Sequence, residues 1–187
     1  MNADPSDHTL MLRYQAGDAA AFDLLYARHR GGLYRYFLRQ VKTREIAEEL
    51  YQDVWTKLIA ARLSWQPSAQ FNSWLYTLAH NRLIDHYRRD ARARAVEFES
   101  DDIEQLHAPA SRVDEPSVQA QSREAAAALQ SALATLPAPQ REAFLLSLEG
   151  GLGVAEIASS AGIGFEAAKS RLRYALNKMR LALKAYA

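Results

Sequence analysis

Two stretches of the chain hold the residue types that handle nucleic acid. Between Trp74 and Arg94, aromatic and basic side chains interleave as Trp74, Tyr76, His80, Asn81, Arg82, His86, Tyr87, Arg88, Arg89, Arg92 and Arg94. Rings offer unpaired bases a stacking surface, and guanidinium groups hold phosphates or stack themselves. Helical spacing puts Trp74, Leu78 and Tyr87 with the apolar side, as core. Asn81, Arg82, Asp85, Arg88 and Arg89 then read as nucleic-acid contacts, with Asp85 alternatively a local partner for Arg88 or Arg89. The second stretch, VAEIASSAGIGFEAAKSRL from Val154 to Leu172, fits a helix-turn-helix. Ala158 is small where two helices must approach, and Gly162 can take the positive φ of the tight turn. Ile157, Ile163, Ala168 and Leu172 point inward. The second helix then exposes Glu166, Ala167, Lys169, Ser170, Arg171 and Arg173 for base edges in a major groove. Lys178, Arg180 and Lys184 are better placed for phosphates. An ordinary helical hairpin with a solvated basic face is the plainer alternative.

Nothing comparable points to catalysis. His80 and His86 lie six apart and face different sides of one helix, whereas zinc pairs on helices use spacings of three or four. There is no phosphate-cradling glycine loop, no nucleophile motif and no cysteine. The expectation is a non-enzyme with no metal, cofactor or small-molecule substrate.

These stretches need helices to carry them. Thr9–Ala16 reads as a short helix ended by Gly17. From Ala20, Phe22, Leu25, Tyr26, Leu33, Tyr36, Phe37 and Val41 recur at helical spacing, with Gly31 and Gly32 weakening the middle and allowing a kink. Thr43 is suited to cap the next helix. Its apolar stripe is Ile46, Leu50, Val54, Trp55 and Leu58, and its opposite face carries Glu48, Glu49, Gln52 and Asp53. Residues 63–70, with Pro67 and two serines, read as a loop. A long helix follows over 71–95. After residues 96–120 the helical pattern resumes at Arg123–Leu136, with Pro137 in the first turn of the next helix over 140–149, then 154–160 and 165–185. Nothing in the pattern requires a strand.

Length and charge frame this organisation. A chain of 187 residues, 49% hydrophobic, builds one or two small cores, and no apolar run reaches the roughly 20 residues of a spanning helix. The start, MNADPSDHTL, lacks the basic and apolar regions of a secretory signal, so a cytosolic location is expected. The net charge of +1 hides an asymmetry. Residues 1–95 hold 14 Lys/Arg against 10 Asp/Glu, residues 96–124 hold 2 against 8, and residues 125–187 hold 7 against 4. Two basic blocks therefore flank an acidic one, which reads as a flexible linker.

At this point the residues carry a resemblance. Ala47–Leu58, AEELYQDVWTKL, followed by Phe71–Arg89, FNSWLYTLAHNRLIDHYRR, resembles domain 2 of the extracytoplasmic-function (ECF) sigma factors. Leu136-Pro137, the run from Gln140 to Leu146 and the helix-turn-helix resemble that family's domain 4. The resemblance implies an all-α fold of two small helical domains: domain 2 over 1–95, a flexible acidic linker over 96–124, and domain 4, containing the helix-turn-helix, over 125–187. It implies binding of RNA polymerase core, recognition of −10 and −35 promoter elements, and help in opening the duplex. Carried over to the matching positions, Glu49, Leu50, Gln52, Asp53 and Lys57 would bind polymerase. Asn72, Asn81, Arg82, Asp85, Arg88 and Arg89 would contact −10 DNA, including a melted non-template strand. Glu166, Ala167, Lys169, Ser170, Arg171, Arg173 and Lys178 would contact the −35 duplex. An anti-sigma factor, often membrane-bound in the family, is a further implied partner.

One departure stands out. The family's recognition helix usually starts with a small residue and Thr-Val, and Phe165-Glu-Ala-Ala replaces that start here, leaving the −35 preference open. A linker of about 25 residues extends on the order of 80 Å. Two elements 17 to 20 base pairs apart are separated by roughly 60 to 70 Å, so no third domain is required. The competing reading is a helix-turn-helix operator-binding regulator that never engages polymerase. It leaves the 47–58 helix and the aromatic-basic helix without a task.

Overall fold

The structure, a computed structural model, describes residues 4–97 and 119–184. Among them are eight α-helices and no strand. The order is α1 (Asp7–Gln15), α2 (Ala19–Leu38), α3 (Arg44–Ala60), a 3₁₀ turn (Arg62–Ser64), α4 (Phe71–Glu97), α5 (Gln119–Ala134), α6 (Ala138–Gly150), α7 (Val154–Ala161) and α8 (Phe165–Ala182). Residues 98–118, most of the expected linker, lie outside the described residues.

Local chemistry sets the helix ends. Ser6 accepts from the Thr9 amide, so α1 starts two residues earlier than its apolar periodicity suggests. Asp18 caps α2 through the Ala21 amide, and Thr43 caps α3 through Ile46. Pro137 stands just before α6 and Pro139 fills the first turn, where a missing N–H is harmless. Gly151 and Gly162 end α6 and α7 in the left-handed region, with φ of +66° and +63°.

Helices α1 to α4 close around Leu10, Leu25, Leu33, Phe37, Leu50, Val54, Leu58, Leu75 and Leu83, all buried. The last four helices close around Leu133, Leu145, Leu146, Ile157, Ala168, Ala175 and Met179, with α8 packed across α6, α7 and α5.

The two units meet: α6 lies on α2, and α7 lies on α4. Helix α2 runs unbroken through Gly31 and Gly32. The reason for glycine at 32 is long-range. A Cβ there would sit 2.9 Å from the backbone oxygen of Glu149 and 3.1 Å from the Tyr76 hydroxyl. Gly150 answers it, since a Cβ there would press 3.0 Å from the Tyr76 ring. Around these two contacts Glu149 pairs with Arg35 at 2.9 Å and with Arg39. Glu142, on the same side of α6, accepts from the Tyr36 hydroxyl at 3.0 Å and lies 2.6 Å from His80 Nδ1. Burial, then the neighbouring Glu142 carboxylate, pushes the Tyr36 phenol well up.

Candidate nucleic-acid interface

Helix α3 presents Glu49, Gln52, Asp53 and Lys57 to solvent. Leu50 does not join them. It is fully buried, because position 50 lies on the stripe with Ala47, Val54 and Leu58 that faces the core. Its truncation would cost about 2–5 kcal/mol of stability before any partner is involved.

Arg82 also sits elsewhere than a surface reading of its charge suggests. It lies on the inner side of α4, 8% exposed. Its Nε donates to Asp53 at 2.6 Å and its Nη2 to Glu49 at 2.9 Å. Only such pairing makes a guanidinium tolerable at that depth. The carboxylates remain half exposed while the cation beneath them is covered. The acidic face of α3 and the basic helix α4 are thus one electrostatic unit.

The other residues of α4 divide by side. Asn81, Asp85, Arg88 and Arg89 are exposed. Asp85 forms no ion pair with Arg88 or Arg89 among the described residues. Leu78 is core, and Trp74 and Tyr87 pack partly against it. The Tyr87 hydroxyl donates to the Gln40 carbonyl at 2.7 Å. Tyr76, which the apolar stripe omitted, is almost fully buried. Burial draws the His86 imidazole below its ordinary value, so it carries less positive charge near pH 7 than its neighbours. His80 faces Glu142 and is not free to pair with His86.

Two clefts border α4. The first, 450 Å³, lies between the start of α1 and the loop before α4, lined by Ser6, Asp7, His8, Ser68, Gln70 and Asn72. The loop is pinned from below: the Gln15 amide donates to the Arg62 and Trp65 carbonyls at 2.9 and 3.0 Å. Buried Trp65 meets His8 edge-on. Asp7 is tied to α2 by Arg28 at 2.6 Å and His29 at 2.7 Å. The α1 wall has no signal in the sequence, because no local pattern joins residues so far apart. With side-chain amides and hydroxyls on its walls, this cleft can bind the edge of a single extruded base. The second cleft, 330 Å³, separates α4 from α7 and is lined by His80, Asn81, Asp85 and Arg88 on one side and Ser160 and Gly162 on the other.

The helix-turn-helix follows its sequence pattern. Ile157 and Ala168 are fully buried, Leu172 is nearly so, and Ile163 is partly covered. Helix α8 exposes Glu166, Ala167, Lys169 and Arg173, with Ser170 and Arg171 half covered. Lys169 is 3.7 Å from Glu166, and Arg173 lies over the Tyr174 ring. Lys178 differs from expectation. Its ammonium donates to the Thr135 carbonyl at 2.8 Å, tying α8 to the end of α5. It is exposed but already engaged.

Comparison with known proteins gives this geometry a context. The family description "Sigma-70 region 2" matches residues 25–93, and "Sigma-70, region 4" matches residues 126–179. The RNA polymerase sigma factor CarQ of Myxococcus xanthus is 31% identical over 170 residues, 91% of this chain and 93% of that protein. The ECF RNA polymerase sigma factor SigM of Mycobacterium tuberculosis is 30% identical over 166 residues, 89% of this chain and 79% of that protein. Among solved structures, RpoE bound to the anti-sigma factor NepR from Bartonella quintana has a TM-score of 0.69 at 23% identity, covering 87% of this chain and 96% of that one. CnrH bound to the cytosolic domain of CnrY has a TM-score of 0.64 at 21% identity, covering 97% and 99%. At those identities the likeness is one of fold.

Proposed function

Given that this chain belongs to the ECF sigma factor family, we propose a division of labour for its surfaces. The protein is a sigma factor: it binds RNA polymerase core, directs it to promoters and takes part in transcription initiation. Residues 1–95 act as domain 2, 96–124 as the linker and 125–187 as domain 4. Glu49, Gln52, Asp53 and Lys57 on the outer face of α3 dock on polymerase, with Leu50 supporting them from the core. Asn72, Asn81, Asp85, Arg88 and Arg89 contact the −10 element, Arg82 acting as the buried tie between that helix and α3. The cleft between α1 and the pinned loop takes an extruded base. Glu166, Ala167, Lys169, Ser170, Arg171 and Arg173 meet the −35 duplex.

Sigma factors are non-enzymatic regulators of initiation, and we read this chain as having no catalytic activity of its own. No helix among the described residues is long and apolar enough to cross a membrane, and we infer action in the cytoplasm, where polymerase works. An anti-sigma factor, as NepR is to the Bartonella RpoE, is the inhibitor we expect.

The observation that best supports this reading is the coexistence in one chain of the α3 carboxylate face, bonded to α4 through Arg82, and a basic helix-turn-helix. An operator-binding regulator needs only the second. The test mixes purified chain, core polymerase and genomic DNA and sequences the 5′ ends of the transcripts. Defined start sites that require the chain support the reading. Duplex binding with no effect on polymerase overturns it.

A further inference from the structure

The N-terminal half of α8 exposes one large apolar side chain. Phe165 is the first residue of the helix and is 50% exposed. Ile163, two residues earlier, packs on the core, and Phe165 does not join it there. Among the described residues its ring meets no other ring and no cation. The remaining exposed apolar residues of α8, Tyr174, Leu176 and Leu181, lie more than two turns further on. Of these, Tyr174 already has Arg173 over its ring.

Its place on the helix limits what the ring can meet. Ala168, Leu172, Ala175 and Met179 define the inward side of α8. At about 100° per residue, Phe165 lies on the flank of that side, in line with Lys169 one turn on. Glu166 and Ser170 form the next line toward solvent. Ala167, roughly 200° round from Phe165, sits on the opposite flank and shares none of its contacts. The first residues of a recognition helix are the ones that reach base edges in the major groove. The Phe165 ring therefore enters the groove beside the Lys169 and Glu166 side chains, which are 3.7 Å apart.

A phenyl ring has neither donor nor acceptor, so it can tell bases apart only by their apolar groups. In the major groove guanine shows two acceptors, cytosine an amino donor, and adenine one of each. Thymine alone adds a methyl group to its acceptor. A ring laid on any of the other three covers polar atoms without bonding them, which costs binding. A ring laid on the methyl group takes apolar surface of both partners out of water. We propose that Phe165 is a specificity residue of the −35 contact, selecting thymine at one position through its 5-methyl group. The proposal rests on the sigma factor reading and names a base that this surface reads. It acts at the start of α8, where the chain departs from the family's usual pattern and where charge gives no guide to preference.

Deoxyuridine is the probe, because it removes the methyl group of thymine and alters no hydrogen-bonding atom. A promoter mapped by 5′-end sequencing is rebuilt with each −35 thymine, on either strand, replaced singly by deoxyuridine. Its affinity for the holoenzyme of this chain and core polymerase is then measured. A methyl group withdrawn from water is worth about a fourfold change in affinity. One substitution should therefore weaken the wild-type holoenzyme about fourfold and leave the Phe165→Ala holoenzyme unaffected. Phe165→Ala should itself weaken the unmodified promoter by at least that factor. Phe165→Leu, which keeps apolar surface, should retain part of the deoxyuridine effect. The wild-type arm needs no variant, so it stands even where a substitution disturbs α8. Absence of any deoxyuridine effect in the wild type overturns the assignment, as do −35 elements that contain no thymine. An effect that persists in full in Phe165→Ala assigns the methyl contact to another residue and overturns it too. A wild-type chain that gives core polymerase no promoter specificity sinks the sigma factor reading itself, and the proposal with it.

Discussion

The triad of Glu49, Asp53 and Arg82 makes a quantitative prediction, because its members differ sharply in exposure. The acids are 62% and 47% exposed, while the Arg82 side chain is 10% exposed. Glu49→Ala alone leaves Asp53 on the guanidinium. The loss is that of one partly solvated pair, about 0.5–1 kcal/mol. Asp53→Ala alone leaves Glu49, with a similar loss. Removing both strands a covered cation, and unpaired buried charge costs about 3–5 kcal/mol. The lower end applies, since truncating both acids opens a path for water. The double variant should therefore lose about 3 kcal/mol, a coupling of about 1–2 kcal/mol beyond additivity. For a chain of this size that is a fall in Tm of roughly 6–12 °C, against about 1–4 °C for each single change. Scanning calorimetry of the four proteins at one pH and salt concentration checks it. A double variant equal to the sum of the singles would falsify the claim that Arg82 is structurally buried charge.

Three further outcomes follow from the same geometry. Gln52→Ala, on the exposed face of α3, should weaken binding to core polymerase with promoter choice unaltered. Arg171→Ala on α8 should blunt promoter choice with core affinity intact, and a shared defect in paired binding and transcription assays would refute the division. Gly162→Ala forces a Cβ into the left-handed region at φ +63°. It should cost about 1–2 kcal/mol, and an unchanged Tm would count against that turn geometry. The His29 ring, followed by the Arg28 guanidinium, holds the Asp7 carboxyl below its ordinary value of 3.8 against the upward push of burial. A depressed carboxyl stabilises the fold above 3.8 and loses that contribution as pH falls through its folded value. Asp7→Asn should accordingly flatten the fall of Tm below pH 3.8, and an unaltered acid limb would show that the α1 tie carries no such stability.

What could be read from residues alone was local. The helix-turn-helix announced itself through Ala158, Gly162 and the inward set of Ile157, Ala168 and Leu172, because each requirement lies within one turn of its neighbours. Thr43 marked the start of α3 for the same reason. Leu50 was legible as core from its stripe and lost that meaning only when grouped with the acids beside it. Arg82 was misleading, since composition reports its charge and burial is decided by α3, thirty residues earlier. Gly32 looked like a weak point in a helix. Its purpose is a meeting with Glu149 and Tyr76, which no spacing rule can foresee. The α1 wall of the base-sized cleft was hidden likewise, being assembled from segments on opposite sides of α2 and α3.

The bond between Arg82 and the α3 carboxylates carries a thermodynamic obligation. Any ligand that competes for Glu49 or Asp53 must displace a guanidinium rooted in α4, and any ligand that draws on α4 at that point must release those acids. Free-energy linkage makes the two effects equal in size. Docking on one helix is therefore felt on the other in the same measure, with no moving part larger than a side chain.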